Sequence, residues 1–203
     1  MADTLQNKFN STDSDELARL EEKLSKKRAL ELFDFDLLRP EEAGTVRSLA
    51  FIHQYMFQDI YDFAGKIRTV NLAKGNMLFA PALFLESSLI RVEKMPQQTF
   101  EEIVAKYVEM NVAHPFREGN GRSMRIWLDQ MLKLELDCVI DWTKLDKDEY
   151  LHAMALSPIN DVSIRNMLRE AITDLVEDTN VYIDGIDASF SFEDLTSVKT
   201  AEL

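Results

Sequence analysis

The chain has 203 residues, of which 46% are hydrophobic, so it can bury one sizeable core. Its formal net charge of -13 at pH 7 argues against a general nucleic-acid or anionic-membrane binder, because such proteins need a basic surface. A single cysteine, Cys138, excludes an internal disulfide and is typical of a cytoplasmic protein. The start lacks a signal-peptide pattern, and no apolar run approaches the ~18 residues of a membrane span. Composition therefore predicts one cytoplasmic domain.

The first predicted element is a helix that follows the polar residues 1–12, which we expect to be flexible. Asp13 or Ser14 can cap it, and apolar residues then recur at helical spacing. These apolar residues are Leu17, Leu20, Leu24, Leu30 and Phe33. The alternating glutamates and lysines between Glu21 and Lys27 are interpreted as a solvated face. The helix is therefore predicted to pack one side on the core.

A second helix is predicted from Pro40, because proline suits the first helical position and two glutamates follow it. Its apolar side continues to Phe57 and includes His53. A single histidine on an apolar face is typically a hydrogen-bonded core residue, so we interpret His53 as structural.

Residues 66–80 leave the helical pattern. Two short apolar runs flank Lys74, Gly75 and Asn76, which form a turn signal, so the segment predicts a β-hairpin. It is the only strand pair that the pattern indicates, and a hairpin of this size is marginal unless it docks on other elements. From the residues alone, an ordinary surface hairpin is the simpler interpretation.

Three helices are predicted in the centre of the chain. The first runs from Pro81 to Lys94, and the second is capped by Thr99 and ends at Ala113. The third runs from about Asn120 to Leu134, with a buried side formed by Met124, Trp127, Leu128, Met131 and Leu132. Residues 114–119 are therefore a loop that joins two helices.

His114 to Arg125 read His-Pro-Phe-Arg-Glu-Gly-Asn-Gly-Arg-Ser-Met-Arg. Gly119 to Gly121 allow several backbone N–H groups to converge at the positive end of a helix dipole, which is a phosphate-binding arrangement. Arg122 and Arg125 are three residues apart, so their guanidinium groups project from one helix face and can bind further phosphate oxygens. The stretch thus predicts a phosphate site.

Two further residues of this stretch indicate chemistry. Glu118 would be repelled by bound phosphates unless a cation lay between them, and a hard divalent ion such as Mg²⁺ fits that requirement. His114 precedes the phosphate-binding turn, and the unperturbed pKa of histidine suits it to accept a proton near neutral pH. We therefore predict His114 as a general base and Glu118 as a metal ligand.

This stretch matches, at every specified position, the signature His-Pro-Phe-x-(Asp/Glu)-Gly-Asn-Gly-Arg-x-x-Arg, and about residues 45–175 resemble the helical core of the Fic domain family. The resemblance implies an all-α fold within residues 13–178, a helical bundle with one short β-hairpin flap over the active site. It also implies an enzyme that moves AMP from ATP to a tyrosine, threonine or serine hydroxyl of a target protein or of the enzyme itself.

The resemblance assigns a role to each motif residue. His114 would take the proton of the target hydroxyl as that oxygen attacks the α-phosphorus, and Glu118 would hold Mg²⁺ against the phosphates. The residues that would bind the α-, β- and γ-phosphates are Gly119, Asn120, Gly121, Arg122 and Arg125. The flap would align the target backbone by strand addition. Its contacting residues would be Lys74, Gly75, Asn76, Met77 and Phe79.

The C-terminal residues carry a second part of the resemblance. After a polar connection that ends at Gly185, Asp187 can cap a short helix in which Ser189 and Glu193 face one way. Small stand-alone bacterial members of the family carry an inhibitory helix of this kind. Residues 186–196 are therefore predicted to be an inhibitory helix.

Glu193 would then reach Arg125 and occupy the place of the γ-phosphate, so that ATP could bind only with its α-phosphate misaligned. The enzyme would be inhibited as isolated. The family usually has glycine or asparagine after this glutamate, and the chain has Asp194, whose charge could loosen the helix end or face water. Residues 197–203 are predicted to be a disordered tail.

Other functions are compatible with the motif. Relatives of the family transfer other nucleotides, phosphocholine or phosphate, or remove AMP, and an inactive module could bind a nucleotide without turnover. Gly119 between Glu118 and Asn120 matches the AMP-transferring form, and neither the base nor a phosphate-binding arginine is missing. The sequence leaves open the target protein, the hydroxyl type, AMP removal and the oligomeric state, a homo-oligomer included.

Overall fold

The computed structural model describes residues 4–74 and 77–203, with the backbone only for Lys74 and Met77. Most of these residues form α-helices, which confirms the predicted all-α bundle. The helices are α1 (Ser14–Asp34), α2 (Val46–Phe57), α3 (Ala82–Glu93), α4 (Phe100–Ala113), α5 (Asn120–Leu136), α6 (Lys147–Leu156), α7 (Val162–Glu170) and α8 (Thr179–Ser191). Antiparallel pairs of two-residue strands join β1 (Ala73–Lys74) to β2 (Met77–Leu78), and β3 (Val139–Ile140) to β4 (Ile172–Thr173). None of the helices in these ranges is long and apolar enough to cross a membrane.

Helix α5 lies at the centre of the bundle, where it packs against α2, α4 and α8. The apolar residues predicted for its buried side are all at most 1% exposed. Trp127 among them donates its indole N–H to the carbonyl of Thr45 at 3.1 Å, which ties α5 to the start of α2. The side that carries Arg122 and Arg125 is buried as well, because the end of α8 covers it. These two cations therefore need partners inside the protein.

Two of the predicted helix starts are confirmed by side-chain caps. Asp13 Oδ1 accepts N–H bonds from Asp15 and Glu16 at 2.9 and 3.1 Å at the start of α1. Thr99 and Glu102 form a reciprocal capping box at the start of α4. Both caps satisfy N–H groups that have no partner within the first helical turn.

Helix α2 starts at Val46, so the predicted start at Pro40 is wrong. Gly44 has a φ of 77°, a left-handed conformation that interrupts a right-handed helix. Thr45 Oγ1 then accepts the N–H bond of Ser48 at 3.0 Å and caps α2. The proline therefore lies in a turn before the helix.

Apolar residues recur at helical spacing at Ile164, Leu168, Ala171, Ile172 and Leu175, which predicts one helix through them. Helix α7 ends earlier, at Glu170. Ile172, which continues that pattern, pairs with Ile140 between β4 and β3. The sequence pattern indicates only the β1–β2 hairpin, so this second pair is a correction. Its two-residue strands are too short to show the alternation that reveals a strand.

Helix α8 begins at Thr179, so the predicted cap at Asp187 is wrong. Asp178 caps the helix instead, by accepting N–H bonds of the first turn at 2.8 and 3.2 Å. Gly185, predicted to end a connection, lies inside α8. A glycine within a helix costs about 1 kcal/mol relative to alanine, which the packing of the helix outweighs.

The C-terminal residues pack on α1, so the predicted disordered tail from Ser197 is wrong. Of the predicted solvated face at Glu21–Lys27, Lys23 and Lys27 are exposed, but Glu21, Glu22 and Lys26 are buried, so that prediction is wrong for these three. Lys26 and Glu22 are 1% and 0% exposed, and their charges pair at 3.0 Å. The Glu22 carboxylate also accepts the N–H bonds of Ser197 and Val198, each at 3.0 Å. The tail thus supplies partners that allow charged residues of α1 to be buried.

The N-terminal segment packs on the bundle over residues 4–12, part of the range predicted to be flexible. Lys8 donates its backbone N–H to the carbonyl of Ile60 at 2.8 Å. Asn7 is 7% exposed, and its Oδ1 accepts N–H bonds from Phe9 and Ser11, both at 3.1 Å. These contacts fix the segment beside the end of α2.

Candidate active site

His114 ends α4 and begins the loop that leads to α5. Its backbone has a φ of 49°, and its N–H donates to the Met110 carbonyl at 2.9 Å as the helix terminates. The imidazole stacks on the ring of Phe79, with centroids 3.6 Å apart and planes inclined by 12°. Phe79, predicted to contact the target from the flap, is 8% exposed and lies against the predicted base instead.

The loop between α4 and α5 is closed by the side chain of Asn120. Its Oδ1 accepts the N–H bond of Phe116 and its Nδ2 donates to the Phe116 carbonyl, both at 2.8 Å. Ser123 Oγ also donates to the carbonyl of Gly119 at 3.0 Å. Because the side-chain amide of Asn120 bonds to Phe116 within the loop, Asn120 can bind a phosphate only through its backbone N–H.

His53 lies under the same loop and is 0% exposed. Its Nδ1 accepts the N–H bond of Gly65 at 2.8 Å, so Nε2 carries the proton and donates to the Glu118 carbonyl at 2.8 Å. Its ring stacks on Phe116, with centroids 3.8 Å apart. Burial lowers the pKa of His53 to about 3, which keeps the imidazole neutral. The interpretation of His53 as structural is confirmed.

Gly119 turns the loop into α5. Its φ is 72°, and an added Cβ would lie 2.4 Å from the Phe57 ring, so no larger residue fits there. Among the described residues, no side chain caps the N-terminus of α5. The first N–H groups of the helix and the positive end of its dipole are therefore available to an anion.

Arg122 is 1% exposed and contacts three carboxylates of the described chain. Nη1 pairs with Glu21 at 2.7 Å, Nη2 with Glu118 at 3.1 Å and Nε with Glu193 at 2.7 Å. The guanidinium carbon also lies 5.0 Å from the centre of the Phe57 ring. Burial disfavours the charged form, but the carboxylates prevail and raise the pKa of Arg122. The cation is thus compensated without any ligand.

Arg125 is held by the end of α8. Nε donates to Ser189 Oγ at 2.6 Å, and Nη2 donates to the Ser189 carbonyl at 2.8 Å and to Glu193 Oε1 at 3.2 Å. Gly121 leaves room for the ion pair, because a Cβ there would lie 2.8 Å from Glu193 Oε1 and 2.9 Å from Arg125 Nη1. Glu193 therefore contacts Arg122 as well as Arg125, the single partner that was predicted for it.

Asp194 follows Glu193 with a φ of 61°. Glycine adopts this left-handed conformation at no cost, and asparagine and aspartate are among the few other residues that tolerate it. The Asp194 side chain is 89% exposed and contacts Lys147. Of the two outcomes considered for its charge, the structure shows the one in which the carboxylate faces water.

Glu118 stands at the edge of the cluster, with its side chain 41% exposed. Oε1 accepts the N–H bond of Gly119 at 2.8 Å and one from Arg122 at 3.1 Å, whereas Oε2 makes no hydrogen bond within the described residues. Burial, reinforced by the charges of Glu21 and Glu193, raises the pKa of Glu118. No group of three metal-binding side chains occurs in the described ranges. One exposed carboxylate oxygen nevertheless fits Mg²⁺, which often takes a single protein ligand when phosphates and water supply the others.

The predicted flap forms a short hairpin close to the base. The paired residues are Ala73 with Leu78 and Lys74 with Met77. Gly75 and Asn76, predicted at its turn, lie outside the described residues. Leu78 is 81% exposed and the next residue, Phe79, is buried against His114. The hairpin thus presents one side to solvent while the other contacts the site.

Two buried charged residues near the motif are not marked by any sequence motif. Glu21 pairs with Arg122, and its spacing of four residues from the buried Leu17 is the signal that could have placed it on the inner face of α1. Arg68 is 3% exposed and donates to the carbonyl of His114 at 2.7 Å. For Arg68 the sequence holds no comparable signal.

Comparisons with known proteins agree with this geometry. The sequence profile of the Fic/DOC family matches residues 44–132. The probable protein adenylyltransferase y4lH of Sinorhizobium fredii is 31% identical over 172 residues, which are 78% of this chain and 85% of that protein. The protein adenylyltransferase VbhT of Bartonella schoenbuchensis is 33% identical over 113 residues, 50% of this chain and 23% of that protein. The structure of BepC from Bartonella tribocorum, with bound AMPPNP, aligns with a TM-score of 0.70 at 19% identity over 84% of this chain and 92% of that chain.

The similarity covers both the site and the fold. The family profile contains the whole loop from His114 and the glycine-rich turn into α5. The match to y4lH extends over most of both proteins, and the comparison with BepC shows a shared helical fold. The chain therefore belongs to the Fic/DOC family.

Proposed function

We propose that this protein is a protein adenylyltransferase, which moves AMP from ATP to a tyrosine, threonine or serine hydroxyl of a target protein. The observation that carries the proposal is a single loop that joins His114, at the end of α4, to the uncapped N-terminus of α5. Arg122 and Arg125 follow within the first turns of α5. The relatives y4lH and VbhT are named for the same activity.

In the proposed reaction, the target hydroxyl oxygen attacks the α-phosphorus of ATP in line. A new O–P bond forms, the bond from the α-phosphorus to the bridging oxygen breaks, and pyrophosphate leaves with the bonding electrons. His114 accepts the hydroxyl proton, because imidazole is the side-chain base best suited to neutral pH. The Phe79 ring, whose centroid lies 3.6 Å from that of the imidazole, restricts the plane of the imidazole for this transfer.

The phosphates are the part of ATP that the site is suited to bind. Backbone N–H groups of the turn from Gly119 to Gly121 would take the α-phosphate oxygens, that of Gly119 after it leaves the Glu118 carboxylate. Arg122 and Arg125 would take the β- and γ-phosphates. Glu118 would hold Mg²⁺ through its exposed oxygen, and the bound ion would supply positive charge that offsets the phosphates. Positioning and charge stabilisation provide most of the rate in this class of reaction.

Both arginines are occupied by Glu193, at 2.7 Å from Arg122 and 3.2 Å from Arg125. A γ-phosphate would have to displace this carboxylate, and ATP that binds beside it would hold its α-phosphate out of line. The proposed function therefore includes inhibition of the isolated enzyme by the end of α8, with Ser189 and Glu193 as its contacts.

The proposed docking strand for the target is the exposed edge of the β1–β2 hairpin, to which an extended segment would add. The predicted target contacts Lys74, Gly75, Asn76 and Met77 belong to this proposal. The proposed function also includes transfer of AMP to a hydroxyl group of the enzyme itself. Since ATP is the donor and Cys138 cannot form an internal disulfide, the cytoplasm is the proposed place of the reaction.

The test is transfer from α-labelled ATP in a Glu193→Gly background, which removes the carboxylate that contacts both arginines. His114→Ala should abolish transfer while ATP binding, measured by calorimetry, stays within about tenfold, because loss of a base affects the chemical step. His152→Ala, which changes an exposed histidine of α6, is the matched control and should transfer label as the background does. Equal labelling by His114→Ala and its parent would contradict the role of His114.

A further inference from the structure

Arg68 lies outside the motif, between α2 and the hairpin, and is 3% exposed. Its guanidinium donates to four backbone carbonyls of the described chain. They are those of His114 (Nε, 2.7 Å), Val70 (Nη1, 2.6 Å), Ala80 (Nη2, 2.6 Å) and Ala113 (Nη2, 3.0 Å). Burial lowers the pKa of Arg68, and no carboxylate of the described ranges opposes that effect. The partial negative charges of these carbonyl oxygens therefore compensate the positive charge of Arg68.

The backbone N–H of Arg68 donates to the Pro115 carbonyl at 2.8 Å. Together with its side chain, Arg68 therefore binds the three consecutive carbonyls of Ala113, His114 and Pro115. Two of the three, those of Ala113 and His114, are at the C-terminal end of α4, where carbonyls lack helical donors and the dipole is negative. His114 has φ 49° and ψ 66°, a conformation that residues other than glycine seldom adopt. The contacts on both sides of its Cα atom hold His114 in this conformation.

The same guanidinium binds both ends of the hairpin. Val70 precedes β1, and Ala80 follows β2 and donates its N–H to the Val112 carbonyl of α4 at 3.0 Å. Ala80 comes directly after Phe79, whose ring stacks on His114. Arg68 therefore fixes the backbone that carries the imidazole and also the segment whose ring lies against it.

We propose that Arg68 is a positioning residue for AMP transfer, which sets the place of His114 relative to the flap without touching the nucleotide or the target. The proposal rests on the adenylyltransferase function proposed above. A planar guanidinium is needed, since a lysine ammonium has three donors and no fixed fork that can span carbonyls of two segments. The phosphate-binding turn has its own supports in Asn120 and His53, so ATP binding does not depend on Arg68.

The experiment compares Arg68→Lys with Arg91→Lys, the same exchange at an exposed arginine of α3, both in the full chain with Glu193→Gly. We expect Arg68→Lys to lower kcat for labelling from α-labelled ATP by about 10-fold to 100-fold, because small misplacements of a reacting group cost this much. Its Kd for ATP should equal that of the parent, and Arg91→Lys should match the parent in both. A lower kcat with an unchanged Kd indicates a positioning role, because a general loss of folding would also weaken ATP binding.

Hydrogen exchange tests the contacts without reference to activity. In Arg68→Lys, the amides of Phe79, Ala80 and His114 should exchange faster, while those of α5 keep their parent rates. The proposal is overturned if kcat is unchanged, if ATP affinity falls together with kcat, or if exchange rises equally in all helices. If the Glu193→Gly parent transfers no label, the proposed function fails, and the exchange pattern alone decides whether Arg68 holds these segments.

Discussion

His53 holds the loop before α5 through two hydrogen bonds of 2.8 Å, one from Gly65 to Nδ1 and one from Nε2 to the Glu118 carbonyl. Because Nδ1 must accept, the imidazole cannot be protonated without loss of the Gly65 bond. Burial also opposes the charge and lowers the pKa of His53 to about 3. The loop that presents Glu118 therefore depends on a neutral histidine.

We predict that acidification destabilises the protein through His53. Between its ordinary pKa of about 6.5 and its folded pKa of about 3, the unfolded chain binds a proton at His53 that the folded chain does not. This contribution is complete above about pH 6.5 and is lost as the pH falls, by about 1.4 kcal/mol per pH unit. For a chain of this size, that loss is about 3 to 5 °C of melting temperature per unit.

The measurement is the melting temperature between pH 7 and pH 5. The melting temperature of the native chain should fall more over this interval than that of His53→Gln, in which the titrating group is absent. His152→Gln, at an exposed position, should keep the native slope. The prediction is wrong if His53→Gln and the native chain have the same slope.

At the scale of single residues, the sequence predicts the groups that lie next to each other in the chain. His114, Glu118 and the glycines of the turn form one loop, so their proximity follows from the motif. Glu21 and Arg68 come from distant segments, and their burial depends on partners that sequence spacing does not show. This is why the sequence predicts that Glu21 faces solvent, whereas in the structure Glu21 pairs with Arg122.

Among the elements, α8 is fixed along its length as well as at its end. Asp187 in its middle accepts bonds from Lys26 Nζ at 2.9 Å and from Thr200 Oγ1 at 2.7 Å. Thr200 is 0% exposed, so the C-terminal tail clamps α8 onto α1. This clamp supports the position of Ser189 and Glu193 over the motif arginines.

We predict that deletion of residues 197–203 raises AMP transfer by the native chain and lowers its melting temperature. Without the tail, Lys26 and Glu22 lose buried partners, and an unsatisfied buried group costs about 1–3 kcal/mol. Labelling from α-labelled ATP and thermal melting measure the two effects. Glu202→Gln, an exposed change in the same tail, should resemble the native chain. Unchanged melting and unchanged low transfer after the deletion would refute the clamp.

Helix starts could be predicted where the cap and its first turn are adjacent, as at Asp13 and Thr99. The start of α8 could not, because Asp178 and Asp187 are both suitable caps. The choice follows from the contacts of Asp187 with Lys26 and Thr200, which are tertiary. The β3–β4 pair was missed because two-residue strands carry no periodic signal.

In the whole molecule, Arg122 joins three segments through their carboxylates. Glu21 belongs to the N-terminal helix, Glu118 to the motif loop and Glu193 to the C-terminal segment. If Glu193 leaves, Arg122 keeps Glu21 and Glu118 as partners, while Arg125 loses the Glu193 carboxylate and keeps only neutral partners in Ser189 among the described contacts. The fold and the motif could be predicted from sequence through the family resemblance, whereas this closed charge cluster required the structure.

The most direct test of this account is the label that passes from α-labelled ATP, with magnesium, to proteins of a cell lysate. We predict at least about tenfold more label with Glu193→Gly than with the native chain, which corresponds to about 1.4 kcal/mol of relieved misalignment. Asp194→Gly, which removes the neighbouring exposed carboxylate, should stay as low as the native chain. Equal labelling with and without Glu193 would contradict the account.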